Sequence, residues 1–418
     1  MEVDQELVLT VKLGGIYTLL ETEEAACTAA LMSKLQLKDC IEPLLNFTLT
    51  LSIKQSIDLG LSNDFCSNLL LNEDDHDHRT YLSSTSSTVH FEGVPSYPLY
   101  KHLASALLNS ISSGAIHTMR NDTPLIREDS SLKQKECEWN RIIREKGSDI
   151  VRMLETVEVE LHVQEPFFSQ LKDGCKTVEG RCADGARRFE PGSLILFNKC
   201  LLLQVQDVHW YPSFSDMLAA EGLAKVLPDV ETIKEGTQIY RKFYSEERER
   251  SNGVLAIRIK PASQLYEHLA AILAALSYDG IQRLLGISHT VGTIPDALPL
   301  PRSTLLSAFS LPHNPDVKSS VLNDGARALA KHVNRSKGKF WGSFSGNESH
   351  KNMLALKVIN HLIAHCCWLN VHIVPPHGPV FEIRVQDGYG ARWSLNPTKF
   401  IGFLEPYTAD GYAKGWKH

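Results

Sequence analysis

The spacing of apolar residues changes along this chain from a helical period to a strand period and back. In the first 158 residues apolar positions recur at helical spacing, as in 100–116 and 136–155. From 159 to 260, short apolar runs separated by turn residues are typical of β-strands. A long helical pattern at 348–368 is followed by three further strand patterns. The sequence therefore predicts an α+β protein.

The same changes in pattern divide the chain into four parts. Residues 1–158 form a mainly helical N-terminal region, and its polar, serine-rich stretch near 72–95 is predicted to be a disordered loop. A strand-rich unit at 159–260 follows. A helix and a proline-rich linker at 261–320 then lead to an α+β C-terminal domain at 321–418.

The strand-rich unit contains one clear hairpin and one helical insertion. The runs Leu194–Phe197 and Cys200–Val205 are separated only by an Asn-Lys pair, which predicts a tight turn. Ser213 or Ser215 is expected to cap the inserted helix, before a last strand at Gly253–Ile259. Short strands around one helical insertion predict a small central β-barrel.

Three charged side chains lie close together just before this hairpin. A short helical pattern ends at Gly174, and Lys176, Glu179 and Arg181 follow within a few residues. On a strand, Thr177, Glu179 and Arg181 share one face, while Lys176 lies at the turn. Two interpretations stay open: these charges hold a polar ligand, or they form a solvated Lys–Glu pair at a surface turn.

Composition limits the class of protein. The 418 residues are 43% hydrophobic and 22% charged, which is ordinary for a globular protein. No apolar run approaches membrane-spanning length, and the acidic N-terminus is unlike a signal peptide. The nine cysteines are scattered without metal-ligand spacing, which favours reduced thiols in a cytoplasmic or nuclear protein. We expect no membrane contact, no metal site and no cofactor.

Charge is distributed unevenly around a net value of −6. The N-terminal region is acidic, the C-terminal domain is basic, and the strand-rich unit is almost neutral. Because phosphate contacts supply most of the affinity for long nucleic acids, a neutral unit suits a small or short ligand better.

A second charged stretch lies in the C-terminal domain, where basic residues precede an aromatic pair. Such a combination can hold single-stranded RNA, with cations on phosphates and aromatic rings on bases. The alternative is a solvated basic loop beside core aromatics. The secondary RNA-contact candidates are Lys331, Arg335, Lys337, Lys339 and Trp341.

Several of these motifs together resemble a known family. Residues 159–260 resemble the ASCH domain of the PUA-like superfamily, as found in plant-type RNA-binding proteins. A eukaryotic domain of unknown function resembles the C-terminal part in the segments Asn370–Val374, Phe381–Arg384, Gly388–Trp393 and Phe400–Pro406. The ASCH resemblance rests on Glu165–Phe167, Gly174–Arg181, Pro191–Phe197, Ser213–Leu218 and Tyr240–Tyr244.

The resemblance implies a PUA-like barrel whose cleft binds RNA or a modified nucleoside, with roles in RNA metabolism or transcription coregulation. Lys176 and Arg181 would face the ligand, Glu179 would position them, and Tyr240 and Tyr244 would form the cleft wall. Protein partners would bind the flanking regions. A protein-interaction scaffold that has lost its ligand is another alternative.

Some relatives in this family resemble amidohydrolases that remove acetyl from acetylcytidine, which gives an alternative function. The resemblance then assigns catalysis to Lys176 and Glu221. The family's threonine position is occupied by Glu179, and a carboxylate there favours the charged form of Lys176 and weakens it as a base. Thr177 is a substitute nucleophile, although a neighbour on a strand points to the opposite face.

Overall fold

The computed structural model describes residues 35–73, 93–116, 132–184, 189–316, 321–335 and 339–406. Most of the loop predicted near 72–95 lies outside these residues, as does Lys337. No helix among the described residues is long and apolar enough to span a bilayer.

The N-terminal region is helical in the parts that the structure describes. Ser62 caps one helix by accepting a hydrogen bond from the Phe65 amide, and Gly114 ends another in the left-handed conformation. Trp139 donates to the carbonyl of Ala275, which ties this bundle to a helix from beyond the middle unit. The bundle helices are α1 (Leu37–Ile53), α2 (Asn63–Leu70), α3 (Leu99–Ser113) and α4 (Leu132–Glu155).

A five-stranded sheet forms the middle of the chain, in the order β1-β3-β4-β5-β2. The predicted hairpin is confirmed: β3 and β4 pair antiparallel, from Leu194 opposite Gln204 to Phe197 opposite Leu201. A short helix, α5 (Phe167–Lys172), joins the first two strands. The strands are β1 (Val157–Leu161), β2 (Val178–Cys182), β3 (Leu194–Phe197), β4 (Leu201–Tyr211) and β5 (Val254–Pro261).

The expectation of a closed barrel is wrong. The two edge strands, β1 and β2, make no ladder with each other among the described residues. A side chain takes the place of that ladder, because the Arg181 guanidinium of β2 donates to the carbonyl of His162, directly after β1, at 2.8 Å. The sheet is therefore open at this edge, and a charged residue bridges the gap.

Four helices inserted between β4 and β5 cover one face of this sheet. Ser213 caps the first as predicted, and its side chain accepts from the Asp216 amide. The apolar side chains of this layer pack against Val178, Val254 and Ala256. The inserted helices are α6 (Phe214–Glu221), α7 (Leu223–Val226), α8 (Ile233–Arg241) and α9 (Glu246–Asn252).

The C-terminal part is a four-stranded antiparallel sheet in the order β6-β7-β8-β9. The predicted long helix ends at His365 rather than Trp368, because Cys366 is extended. Four strands follow this helix rather than the predicted three, and the first of them begins at Trp368. The elements after β5 are α10 (Leu265–Leu284), α11 (Arg302–Phe309), α12 (Asp324–Arg335), a 3-10 turn (Lys339–Trp341), α13 (Glu348–His365), β6 (Trp368–Val374), β7 (Gly378–Arg384), β8 (Gly390–Ser394) and β9 (Lys399–Leu404).

The two faces of the C-terminal sheet differ sharply in polarity. One face packs on helices through buried residues such as Val371, Phe381 and Trp393. Successive side chains alternate between faces, so the residues between these point the other way. Asn370, Glu382 and Arg392 lie opposite one another across β6, β7 and β8 and are all buried. A polar row thus crosses the second face.

Candidate functional site

The three charged residues of the motif form one buried ion-pair cluster. Lys176 Nζ lies 3.1 Å from Glu179 Oε2, and Arg181 Nε lies 2.8 Å from Glu179 Oε1. Lys176 also donates to the carbonyls of Val178 at 2.9 Å and Val226 at 2.5 Å. All three N–H groups of the Lys176 ammonium therefore have acceptors. Of the three charged side chains, only that of Arg181 reaches the surface, with 25% exposure.

Burial and charge act in opposite directions on the cluster. Burial lowers the pKa of Lys176, and Glu179 opposes that shift. Burial alone would raise the pKa of Glu179, but Lys176 and Arg181 outweigh it and hold this pKa below its ordinary value. Glu179 is thus an anion that fixes two cations in a defined arrangement.

Both tyrosines assigned to the cleft wall lie beside the cluster. Tyr240 is buried and stacks on Phe214 with ring centroids 4.1 Å apart, so its ring belongs to the core under the inserted helices. Tyr244 is partly buried and stacks on Phe214 as well, with ring centroids 5.4 Å apart. The direction of the Arg181 side chain is set by its hydrogen bonds to Glu179 and to the carbonyl of His162.

Glu221 belongs to a different group of side chains. Its carboxylate accepts from Arg258 Nε at 2.8 Å and Tyr211 Oη at 2.8 Å, and lies 3.0 Å from His209 Nδ1. Val178 pairs with Arg258, and Glu179 with Ile257, so Glu179 and Arg258 point to opposite faces of the sheet. No ion pair or hydrogen bond links Glu221 to Lys176 among the described side chains, whereas Glu179 forms an ion pair with Lys176 directly.

Thr177 lies between the two buried residues Lys176 and Val178 and acts through its backbone. Its amide donates to the carbonyl of Lys225, and its carbonyl accepts from Ile259, each within 3.0 Å. These bonds fix the turn that carries Lys176 into β2.

An exposed tryptophan lies in the same cross-strand row as Arg181. Arg181 of β2 is opposite Leu255 of β5, which is opposite Trp210 of β4. Directly opposed residues project from the same face, so the indole and the guanidinium flank Leu255. The Trp210 side chain is 59% exposed, since β3 pairs only with the first part of β4. This row combines a flat aromatic surface with a cation.

The backbone holds the Trp210 ring in place. The indole Nε1 donates to the carbonyl of Asn252 at 3.1 Å, and the ring lies over Gly253. A Cβ at position 253 would lie 2.4 Å from the ring, and Gly253 has a positive φ of 74°. Only glycine allows this close approach, so the orientation of the ring is fixed by the backbone.

We expect Gly253→Ala to lower the free energy of unfolding by about 1–3 kcal/mol, through backbone strain and the collision with Trp210. Gly174→Ala is the matched control, because Gly174 has nearly the same φ of 73° but no atom within 4 Å of a new Cβ. Thermal and urea unfolding of both variants measure the difference. An equal loss in the two variants would mean that Trp210 is not held by Gly253.

Sequence reasoning missed Trp210. Val208 and Trp210 do alternate with polar residues, which is a strand signal. The register of β4, however, shifts between Val205 and Asp207, so the alternation breaks where the apolar run ends.

The secondary RNA-contact candidates do not form one surface. Lys331 is exposed on α12, whereas Trp341 is 2% exposed and donates to Glu405 Oε1 at 2.8 Å. The indole of Trp341 is a core side chain. Arg335 and Lys339 lie at the end of α12 and in the 3-10 turn, and Lys337 lies outside the described residues.

Within the described parts of the chain, no cluster of three or more His, Cys, Asp or Glu side chains is arranged to hold a metal ion.

Comparison with known families gives two matches in separate parts of the chain. Residues 161–263 match the model of the ASCH domain, and residues 313–405 match that of the CdiA C-terminal tRNase toxin domain. No curated protein matches. The eukaryotic domain of unknown function suggested for the C-terminal part stays a prediction.

Two solved structures resemble the middle of the chain. The hypothetical protein PH0355 is 42% identical over 25% of this chain and 98% of its own, with a TM-score of 0.24. Protein PF0455 from Pyrococcus furiosus is 44% identical over 25% of this chain and 96% of its own, with a TM-score of 0.23.

Proposed function

We propose that this protein binds RNA or a modified nucleotide on the sheet face that carries Arg181, Leu255 and Trp210, because residues 161–263 match the ASCH domain. The observation that carries the proposal is the exposed indole in one row with a guanidinium. An aromatic face stacks on any base, and an arginine meets phosphate or carbonyl oxygens.

Each member of the row has a distinct role in this proposal. Trp210 stacks on one base, and Leu255 forms the apolar floor between the two polar ends. Arg181 meets the anionic part of the ligand through its exposed edge, while Glu179 and the carbonyl of His162 fix its direction. Lys176 supports Glu179 from the buried side and is a positioning residue.

The net charge of the middle unit limits the length of the nucleic acid that it can bind. The middle unit is nearly neutral, so it lacks the basic footprint that tracks a long backbone. A few nucleotides of single-stranded RNA, or one modified nucleotide, match one stacking platform and one cation.

Trp210→Ala is expected to weaken RNA binding, since one base–aromatic stack contributes about 1–3 kcal/mol, or roughly 5–150-fold in affinity. Leu71→Ala is the matched control, because Leu71 is 49% exposed and follows α2 in the N-terminal bundle, outside the middle unit. Fluorescence anisotropy with a short labelled RNA measures both. Equal weakening in the two variants would contradict the assignment of the row.

The experiment that tests the function itself compares ligands on the wild-type chain. Anisotropy with a labelled single-stranded RNA is followed by competition with unlabelled RNA, single-stranded DNA and free acetylcytidine. Competition by RNA or acetylcytidine supports the proposal, and the absence of saturable binding of any of them would reject it. Cytidine release from acetylcytidine, followed in the same samples, tests the amidohydrolase alternative.

A second candidate function is RNA cleavage by the C-terminal part. Residues 313–405 are similar to a tRNase toxin domain. The observation that favours this function is the polar face of the C-terminal sheet, where Glu382 lies between two arginines and a histidine. RNA would then be a ligand of both sheets.

A further inference from the structure

The polar face of the C-terminal sheet is organised around one buried carboxylate. Glu382 Oε1 accepts from Arg384 Nε at 2.7 Å, and Oε2 accepts from Arg392 Nε at 2.9 Å and Nη2 at 2.7 Å. His372 Nε2 lies 3.4 Å from the same Oε2 atom. The imidazole and the Arg392 guanidinium therefore lie side by side. These contacts use residues from three adjacent strands, β6, β7 and β8.

Each of the three groups around Glu382 has one nitrogen that the cluster itself does not use. No hydrogen bond engages Arg384 Nη2, Arg392 Nη1 or His372 Nδ1 among the described residues. None of these atoms is among the buried polar atoms that lack a partner. The side chains themselves are mostly buried, since 13% of His372, 11% of Arg384 and 8% of Arg392 remains exposed. The carboxylate beneath them is only 1% exposed, so Glu382 is out of reach of a ligand.

The charges of this cluster do not balance. Two guanidinium groups face one carboxylate, and the imidazole adds no negative charge. An excess of positive charge at nearly buried arginines favours an anion, and the planar fork of arginine matches phosphate oxygens.

The neighbouring segment 288–294 supports the histidine side of the cluster. Its backbone hydrogen-bonds along the outer edge of β6, where Thr293 forms an isolated antiparallel β-bridge with His372. The buried amide of Asn370 donates to the hydroxyls of Thr290 and Thr293 at 2.9 and 3.0 Å. The strand edge next to His372 is thus fixed by polar contacts.

We propose that His372, Arg384 and Arg392 form a ribonuclease site that cleaves a phosphodiester by attack of the neighbouring 2′-hydroxyl. The inference rests on the second candidate function and assigns its residues, its chemistry and its products. Arg384 and Arg392 hold the phosphate, His372 is the general base, and Glu382 is a positioning residue for all three.

The reaction follows from the position of each group. Glu382 accepts the Nε2 proton of neutral His372, which leaves Nδ1 with a free lone pair. His372 Nδ1 takes the proton of the 2′-hydroxyl, and the 2′-oxygen forms a bond to phosphorus. The bond from phosphorus to the 5′-oxygen breaks, and that oxygen takes a proton from water, while His372 returns its proton to solvent. The products are a 2′,3′-cyclic phosphate and a 5′-hydroxyl.

The test uses the full chain, with bulk transfer RNA and a short single-stranded RNA as probes, in the presence of EDTA. Wild type is expected to produce ends with 2′,3′-cyclic phosphate and to leave a fully 2′-O-methylated copy intact. His372→Gln is expected to lose about 100-fold or more in rate. Arg392→Lys, which keeps the charge but not the fork, is expected to lose activity as well. His377→Gln, in the exposed turn of the same hairpin, is the matched control and retains the wild-type rate.

The possible results distinguish an error in the proposed catalytic residues from an error in the proposed RNA cleavage. Cleavage that persists in a folded His372→Gln variant, or that proceeds on the methylated RNA, would overturn the proposed site and chemistry while leaving RNA cleavage in place. Absence of cleavage by a folded wild type would overturn both. If His372→Gln fails to fold, Arg392→Lys and the methylated substrate decide the question.

Discussion

Replacing Glu179 by glutamine is expected to lower the free energy of unfolding by about 3–5 kcal/mol, the cost of leaving buried charges without their partner. The substitution preserves the shape of the side chain but leaves Lys176 and Arg181 facing each other without an anion. Urea unfolding of the purified chain at neutral pH measures the loss.

An exposed ion pair provides the comparison for this result. Glu138→Gln breaks the pair with Arg141 on the surface of α4, where solvent screens both charges and little or no loss of stability is expected. If Glu179→Gln were as mild as Glu138→Gln, the cluster would not be a structural element, and Glu179 would be free to contact a ligand itself.

The second large effect is expected at Glu382. Glu382→Gln leaves Arg384 and Arg392 without their shared carboxylate, and a loss of about 3–5 kcal/mol is expected at neutral pH. Burial would raise the pKa of Glu382, but hydrogen bonding from His372 and the charges of Arg384 and Arg392 lower it from 4.5 to about 2.

The pH dependence of this loss has a defined sign. The folded-state pKa of Glu382 is depressed, so its contribution to stability is present above the unfolded value near 4.5 and disappears as pH falls toward about 2. The difference in unfolding free energy between wild type and Glu382→Gln should therefore be largest at neutral pH and shrink below pH 4.5. A difference that stays constant from pH 7 to pH 3 would contradict the ion-pair assignment.

The cluster of the middle unit could be predicted from the sequence because its members are close neighbours in the chain. Lys176, Glu179 and Arg181 lie on one turn and one strand, and the alternation of a strand places Glu179 and Arg181 on the same face. The burial of Lys176 could not be predicted, since it depends on the carbonyl of Val226 from the inserted helices.

Contacts that depend on strand register could not be predicted from the sequence in this way. The pairing of Glu382 with Arg392 joins two strands of a hairpin, and Trp210 meets Arg181 only through Leu255. One signal was present: Asn370 and His372 interrupt an apolar strand at every second position, which marks one polar face.

The barrel prediction failed for a related reason. Closure depends on whether two edge strands meet, and each edge strand is only five residues long. The pattern of apolar runs contains no information about that contact. The same open edge places Arg181 where it can face both the carbonyl of His162 and a ligand.

Photo-crosslinking tests the central claim of RNA binding on the middle sheet most directly. A short single-stranded RNA containing 4-thiouridine, with 2′-O-methyl groups throughout to prevent cleavage, is crosslinked to the full chain, and the modified peptides are identified by mass spectrometry. Crosslinks are expected within β4, at or beside Trp210, and are expected to disappear in Trp210→Ala. Crosslinks confined to residues 313–405, or unchanged in Trp210→Ala, would contradict the account.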